Sequence, residues 1–248
     1  AVDSIGDTAQ DHLGVSLLSY GLYMFFAFYL VKGVRFDTKL FNRGRIRELF
    51  SYSSYTFVIK LSEMLIFRVD SVVIGFFVGL AVVAHYSIAS TMVSYFLFFI
   101  YGVFALAGPA FSQDEGRGDM DGVRHKFLLT TKIAVYITIF ISSMTIFYGW
   151  HFIERWMGIA YVDAYPALVV LISGVTVLLM QMPTTSVLFN ISRHRFLAYI
   201  GVAEALSNVA LSLALVGRYG MVGVALGTAI PMAVTRLVIQ PLYACKTL

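Results

Sequence analysis

The chain has 248 residues, 59% of them hydrophobic and 13% charged, with a mean hydropathy of +0.81, whereas a soluble domain carries about 25% charged residues. These values exclude a water-soluble globular domain and indicate an integral membrane protein, whose structural unit is a span of about 20 apolar residues. The formal charge of +4 is what basic membrane loops supply, so no nucleic-acid partner is expected, and the single cysteine, Cys245, excludes an internal disulfide and a cysteine-rich metal site.

The first twelve residues contain Asp3, Asp7 and Asp11 but neither Lys nor Arg, unlike the basic start of a signal peptide. A chain that opens on Ala1 directly before a span is expected to be a piece of something longer. The first span is residues 13–31, free of charge, followed by a basic loop with Lys32, Arg35, Lys39, Arg43, Arg45 and Arg47. A second helix is expected at about 49–79. From Ser71 to Gln113 there is no Asp, Glu, Lys or Arg, and as one helix this run would be roughly 64 Å long. It must turn back once, at Gly75, Gly79 and the small residues that follow. That places a third helix at about 82–110, ended by Pro109.

A hydrophilic loop then leads to a fourth helix at about 127–149. The segment 150–163 carries Trp150, Trp156 and Tyr161, with Tyr165 beyond it, as in an aromatic belt. A fifth helix follows at about 164–190, kinked at Pro183, whose freed carbonyl needs another partner. The sixth and seventh helices are expected at about 197–216 and 221–243, separated by the turn "GRYG"; Pro231 lies in the last. Lys and Arg fall mainly into alternate loops: six in the first, three in the loop at 111–126, two in "SRHR" and one in the tail, against Arg155 and Arg218. By the positive-inside rule the N-terminus is outside and the C-terminus cytoplasmic. The fold class is therefore all-α, a polytopic membrane protein of about seven transmembrane helices.

The apolar second helix holds four ionisable groups, each costing roughly 2.5–3.5 kcal/mol at a span's centre. At 100° per residue, Lys60, Glu63 and Asp70 lie within about 80° of one another, while Arg68 points nearly opposite Asp70. Lys60 and Glu63, spaced i, i+3, can neutralise each other. Asp70 has no partner on its own helix and needs a cation from another helix, a proton or an aqueous cavity. Elsewhere, Lys132 is read as snorkelling, Arg236 as snorkelling or ion-paired, Glu204 as a packing hydrogen bond with Asn208 on hand, and His85 as a satisfied contact near a helix end. No "GxSxG", "HExxH" or "GxxxxGK" occurs. No catalytic residue, metal or cofactor is expected, and the glycines of "YGMVGVALGTA" are read as helix-packing positions.

The order "FRVDSVVIGFFVGLAVVAHYSIASTM", "GVFALAGPAFSQDEGRGD" and "GRYGMVGVALGTAIP" resembles one six-helix lobe of the multidrug/oligosaccharidyl-lipid/polysaccharide exporter superfamily, and within it the Wzx-type O-antigen and exopolysaccharide flippases. The matching positions are Asp70, Ile74 and Gly75; Tyr86, Ser87 and Ala89; and Tyr219, Gly220, Gly223 to Leu226 and Thr228. His85 departs from the pattern, standing where the family commonly has glycine. On this resemblance, residues 1–48 are the last helix of a preceding lobe with its cytoplasmic loop, and residues 49–248 are a C-terminal six-helix transporter lobe whose N-terminal partner lobe is missing; the C-terminus is expected to be cut as well. The resemblance implies a flippase of the bacterial inner membrane that moves an undecaprenyl-pyrophosphate-linked oligosaccharide between leaflets by alternating access, in contact with membrane lipid. Lys60, Arg68 or Arg236 would attract the pyrophosphate, and Asp70, Glu63 or Glu204 would couple to a proton or sodium ion. The alternatives are a multidrug or peptidoglycan-precursor exporter of the same superfamily, a polytopic transferase, or a seven-helix receptor, which lacks its "DRY" and "NPxxY" signatures here.

Overall fold

The structure, a computed structural model, describes residues 15–30 apart from 17, 27 and 28, then 43–104, 113–118 apart from 115, and 120–247 apart from 191 and 192. The chain divides into two compact units, residues 1–48 and 49–248. In the first unit residues 18–26 are helical and expose large apolar side chains such as Tyr20, Tyr23 and Phe25. The basic stretch up to residue 42, and Pro109, lie outside the described residues.

No strand occurs among the described residues. Helix α1 is Arg43–Phe77 and α2 is Leu80–Phe104. Between them the chain reverses at Gly79, whose φ of 127° disfavours any residue with a Cβ. Helix α3, Met120–Met157, is about 57 Å long, well beyond the roughly 30 Å hydrocarbon core. A short 3₁₀ turn, Ile159–Ala164, leads into α4, Tyr165–Met180, followed by α5, Met182–Asn190. Helix α6, His194–Val234, is broken at Gly220 (φ 56°, ψ −135°) into two halves. A π-helical turn, Thr235–Ile239, joins it to α7, Gln240–Thr247.

This is an all-α polytopic membrane protein. Among the described residues, four helical stretches are long and apolar enough to cross a membrane: Leu80–Phe104, Met120–Met157, Ile159–Met180 and Arg195–Thr247. The last, 53 residues, is about 80 Å of helix, long enough for two crossings, and it is broken at Gly220. Large apolar side chains face outward throughout, among them Phe76, Leu80 and Phe98, each 82% exposed, an arrangement suited to a lipid solvent rather than to water.

Several expected boundaries are corrected. Arg43, Arg45 and Arg47 belong to the backbone of α1 rather than to a loop, because basic residues are good helix formers and polar helix continues beyond the bilayer core. The same reason extends α3 from the expected 127–149 to 120–157. The expected single helix at 164–190 is two, because Pro183 has no N–H to offer the Leu179 carbonyl. The N–H of Gln181 bonds the Leu178 carbonyl at 3.1 Å, in a residue that has left the helix (φ −93°, ψ 6°).

Helix α4 sits at the centre and packs against α2, α3 and α6. It is apolar on all sides, the pattern of a helix surrounded by protein, and buries Leu168, Leu171, Ile172 and Val175. Small residues bring helices together. A Cβ on Gly174 would stand 2.8 Å from the Cα of Ala229. Gly223 and Gly227 meet the backbone at Leu215 and Ser212 so closely that a Cβ on either would collide. The two halves of α6 therefore lie back to back about Gly220, the small-residue packing expected of "YGMVGVALGTA".

Candidate functional site

The back-to-back halves of α6 align polar residues. On the first half Glu204, Asn208 and Ser212 recur every four residues on one face, and all are buried. Opposite them, Ser212 Oγ donates to the Val224 carbonyl (3.4 Å) and Asn208 Nδ2 donates to Thr228 Oγ1 (2.7 Å). Thr235 Oγ1 donates to Glu204 Oε2 (2.9 Å).

The first cluster closes on Asp70, which is only 2% exposed. Its Oδ2 accepts from the Tyr86 hydroxyl of α2 and from Thr228 Oγ1 (2.7 Å). Three elements thus meet at one carboxylate oxygen. Among the described residues its Oδ1 has no hydrogen-bond partner, and neither does Asn208 Oδ1. Buried oxygens without donors are uncommon in native proteins and ask for an explanation. The sequence implies that Asp70 requires a cation, a proton or an aqueous cavity. The structure adds two neutral hydroxyls on Oδ2 and leaves that requirement with Oδ1.

Asp70 also lines a cleft of about 620 Å³ between α1 and α2, within the range of ligand-binding pockets. From α1 the wall includes Glu63, Phe67, Arg68 and Ser71; from α2 it includes Tyr86 and a polar row at Ser87, Ser90, Thr91 and Ser94. Arg68 departs from the helical-wheel expectation that it looks away from Asp70. Its long side chain reaches the same cleft, exposed and with no ion pair among the described residues. Lys60 is not in the wall; its Nζ lies 2.7 Å from Glu63 Oε2 on the exposed side of the helix, the predicted i, i+3 pair.

A second cluster holds Glu204, 1% exposed, and Arg236, whose Nη2 lies 3.3 Å from Glu204 Oε2. Arg236 Nη1 also donates to Gln240 Oε1 (2.7 Å), and Gln240 Nε2 donates to Thr185 Oγ1 (2.8 Å). The π turn supplies Thr235 and Arg236 together, aiming both at Glu204. Glu204 therefore pairs with the C-terminal helix and not with Asn208, whose amide serves Thr228. A small cavity of about 30 Å³ beside Arg236 is lined by Ser62, Glu63 and Thr185, so Glu63 borders both spaces.

The candidates named from sequence thus separate. Asp70, Arg68 and Glu63 share the cleft; Glu204 and Arg236 neutralise each other in a packed network; Lys60 stands apart. Tyr86 and Thr228 were visible only as motif residues, and their joint hold on Asp70 was not legible from spacing. His85 pairs with Asp163 of the 3₁₀ turn, its ring 4.9 Å from that of Tyr161, and Lys132 is exposed.

Compared with known families, residues 13–166, more than half the chain, match the family described as "Polysaccharide biosynthesis protein". Among curated proteins, an uncharacterized membrane protein of Methanocaldococcus jannaschii is 24% identical over 193 residues, covering 76% of this chain and 38% of that protein. The match therefore spans well under half the length of this relative. No solved structure matches the chain.

Proposed function

The chain belongs to the polysaccharide biosynthesis protein family, and from that premise we propose that it forms part of a flippase that moves a lipid-linked oligosaccharide across the membrane by alternating access. The observation that carries this reading is the 620 Å³ cleft, set among helices of an all-α membrane protein and lined by Arg68, which has no ion pair among the described residues, and by the buried carboxylate of Asp70. Ionisable groups within such helices are costly and are retained where they serve a transport pathway.

In this reading Arg68 attracts the pyrophosphate of an undecaprenyl-pyrophosphate-linked oligosaccharide. A guanidinium with no ion pair among the described residues can offer its N–H fork to phosphate oxygens. Arg236 and Lys60 are less suited, since each already faces a glutamate. Asp70, which lines the cleft, couples transport to a proton or a sodium ion taken up at Oδ1. Glu63 borders the approach, and Glu204 holds Arg236. Every step is a movement or a change of charge pairing, and none requires a covalent reaction. The membrane is the bacterial inner membrane, the C-terminus is cytoplasmic, and a preceding lobe closes the substrate path from the other side.

The test is transport of lipid-linked oligosaccharide in proteoliposomes with the full-length protein. Arg68→Gln should raise the substrate concentration needed for half-maximal rate roughly tenfold, the loss of one charged hydrogen-bond pair, without lowering thermal stability. Unchanged transport by Arg68→Gln would remove Arg68 from this role, and no movement by the wild-type protein would remove the flippase reading.

A further inference from the structure

The α2 wall of the cleft has a chemistry of its own. Ser87, Ser90 and Ser94 lie on one helical face, and each hydroxyl proton is already committed to its own helix. Ser87 Oγ donates to the Val83 carbonyl at 2.7 Å, Ser90 Oγ to the Ser87 carbonyl at 3.0 Å and Ser94 Oγ to the Ser90 carbonyl at 2.8 Å. A serine bonded in this way keeps oxygen lone pairs but has no proton left to give. The row therefore meets a ligand as hydrogen-bond acceptors. Across the cleft stand two more acceptors, the carboxylates of Glu63 and Asp70, and Asp70 Oδ1 is buried without a partner among the described residues. Phe67, Phe98 and Tyr101 complete the wall with rings whose faces are electron-rich and suit positively polarised C–H groups. Arg68 is the only lysine or arginine among the lining residues.

We propose that the α2 wall selects an uncharged, hydroxyl-rich sugar, the sugar hydroxyls donating to Ser87, Ser90 and Ser94 and the ring's C–H face resting on the aromatic side chains. This deepens, and rests on, the reading of the cleft as the glycan-lipid path. A hydroxyl can donate to every oxygen of the row. A sugar carboxylate cannot donate to any of them and sits within the field of Asp70, with Glu63 already paired to Lys60 and Arg68 occupied by pyrophosphate. Specificity here is mainly rejection: the three serines, their protons held by their own helix, offer a sugar carboxylate no donor at that row, while Thr91 and Tyr101 beside it remain open to either sugar.

The full-length protein in proteoliposomes tests this with three probes: undecaprenyl pyrophosphate carrying a neutral trihexose, the same molecule with its terminal hexose replaced by a hexuronic acid, and undecaprenyl pyrophosphate without sugar. The wild type should move the neutral probe at least tenfold faster than the uronic acid probe. The double variant Ser90→Ala, Ser94→Ala should slow the neutral probe roughly tenfold, two neutral hydrogen bonds, and leave the sugar-free probe unchanged. Its fold should persist, because the lost hydroxyls bond only to their own helix. Ser94→Lys, which replaces an acceptor with a cationic donor, should bring the uronic acid probe level with the neutral one. Equal wild-type rates for the two glycan probes, or equal slowing of all three probes by the double variant, would overturn the proposal and leave the flippase reading standing. Movement of none of the three by the wild type would overturn both.

Discussion

Replacing Asp70 by Asn and by Ala separates a working carboxylate from a structural one. Tyr86 and Thr228 both donate to Asp70 Oδ2. Asn keeps an oxygen at that place but turns two charge-assisted hydrogen bonds into neutral ones, a loss of roughly 1 kcal/mol each. Against this, it removes a buried negative charge whose Oδ1 has no donor, and desolvating such a charge costs several kcal/mol. The terms oppose each other, so Asp70→Asn should be no more than about 2 kcal/mol less stable than wild type. Asp70→Ala takes away the acceptor itself. Thr228 can turn to the Val224 carbonyl at 3.3 Å, but the buried Tyr86 hydroxyl is left without any acceptor, at a cost of about 1–3 kcal/mol, plus the void left by the lost carboxyl. Thermal unfolding in detergent should therefore rank wild type close to Asn and above Ala. Transport should fail in both, because neither can exchange a proton or hold a cation. If Asn unfolds as readily as Ala, or transports like wild type, the coupling role of Asp70 is wrong.

Glu204→Gln should be more disruptive than its isosteric shape suggests, because it leaves the guanidinium of Arg236, whose side chain is 12% exposed, with only neutral partners. Breaking a buried pair costs about 3–5 kcal/mol, and the double variant Glu204→Gln, Arg236→Met should recover most of that loss in the same unfolding measurement. Gly227→Ala should lower stability by about 1–3 kcal/mol through overpacking, since its Cβ would meet the Ser212 backbone; Gly217→Ala, with open space around it, should be neutral or slightly stabilising. Gly220→Ala should cost at least 1 kcal/mol by forcing a residue with a Cβ into a positive φ, and should raise protease sensitivity at the turn.

Membrane class, helical content and the places where the chain reverses were legible because the bilayer imposes one rule on every segment: backbone groups must pair internally over a fixed thickness. That rule finds spans but not helix ends. Polar residues such as Arg43 or His151 remain helical outside the lipid, so α1 and α3 run past the hydropathy boundaries. The site was half legible. A lone Asp in an apolar run announces its cost, and the Lys60–Glu63 pair follows from local spacing. The partners of Asp70 do not, since Tyr86 lies 16 residues away and Thr228 158. Glu204 marks the same limit: Asn208 is its neighbour by helical spacing, yet the hairpin at Gly220 and the π turn bring Thr235 and Arg236 closer in space.

Asp70 belongs to two structures at once, and this gives coupling a short route. Its Oδ2 ties α1 to α2 and to the second half of α6, while the carboxylate forms part of the cleft wall. In the proposed mechanism a proton or cation at Oδ1 draws charge away from Oδ2, weakening the two hydrogen bonds that hold the three helical segments together. At roughly 1 kcal/mol per bond, about 2 kcal/mol is lost from that joint, a factor of about 30 in a two-state equilibrium. An ion can shift a conformational equilibrium only by as much as its binding differs between the two states, and here that difference arises on the ion's own ligand. The cleft would then open or close because its two principal walls, α1 and α2, are joined through the group that the ion neutralises, with no relay between distant sites.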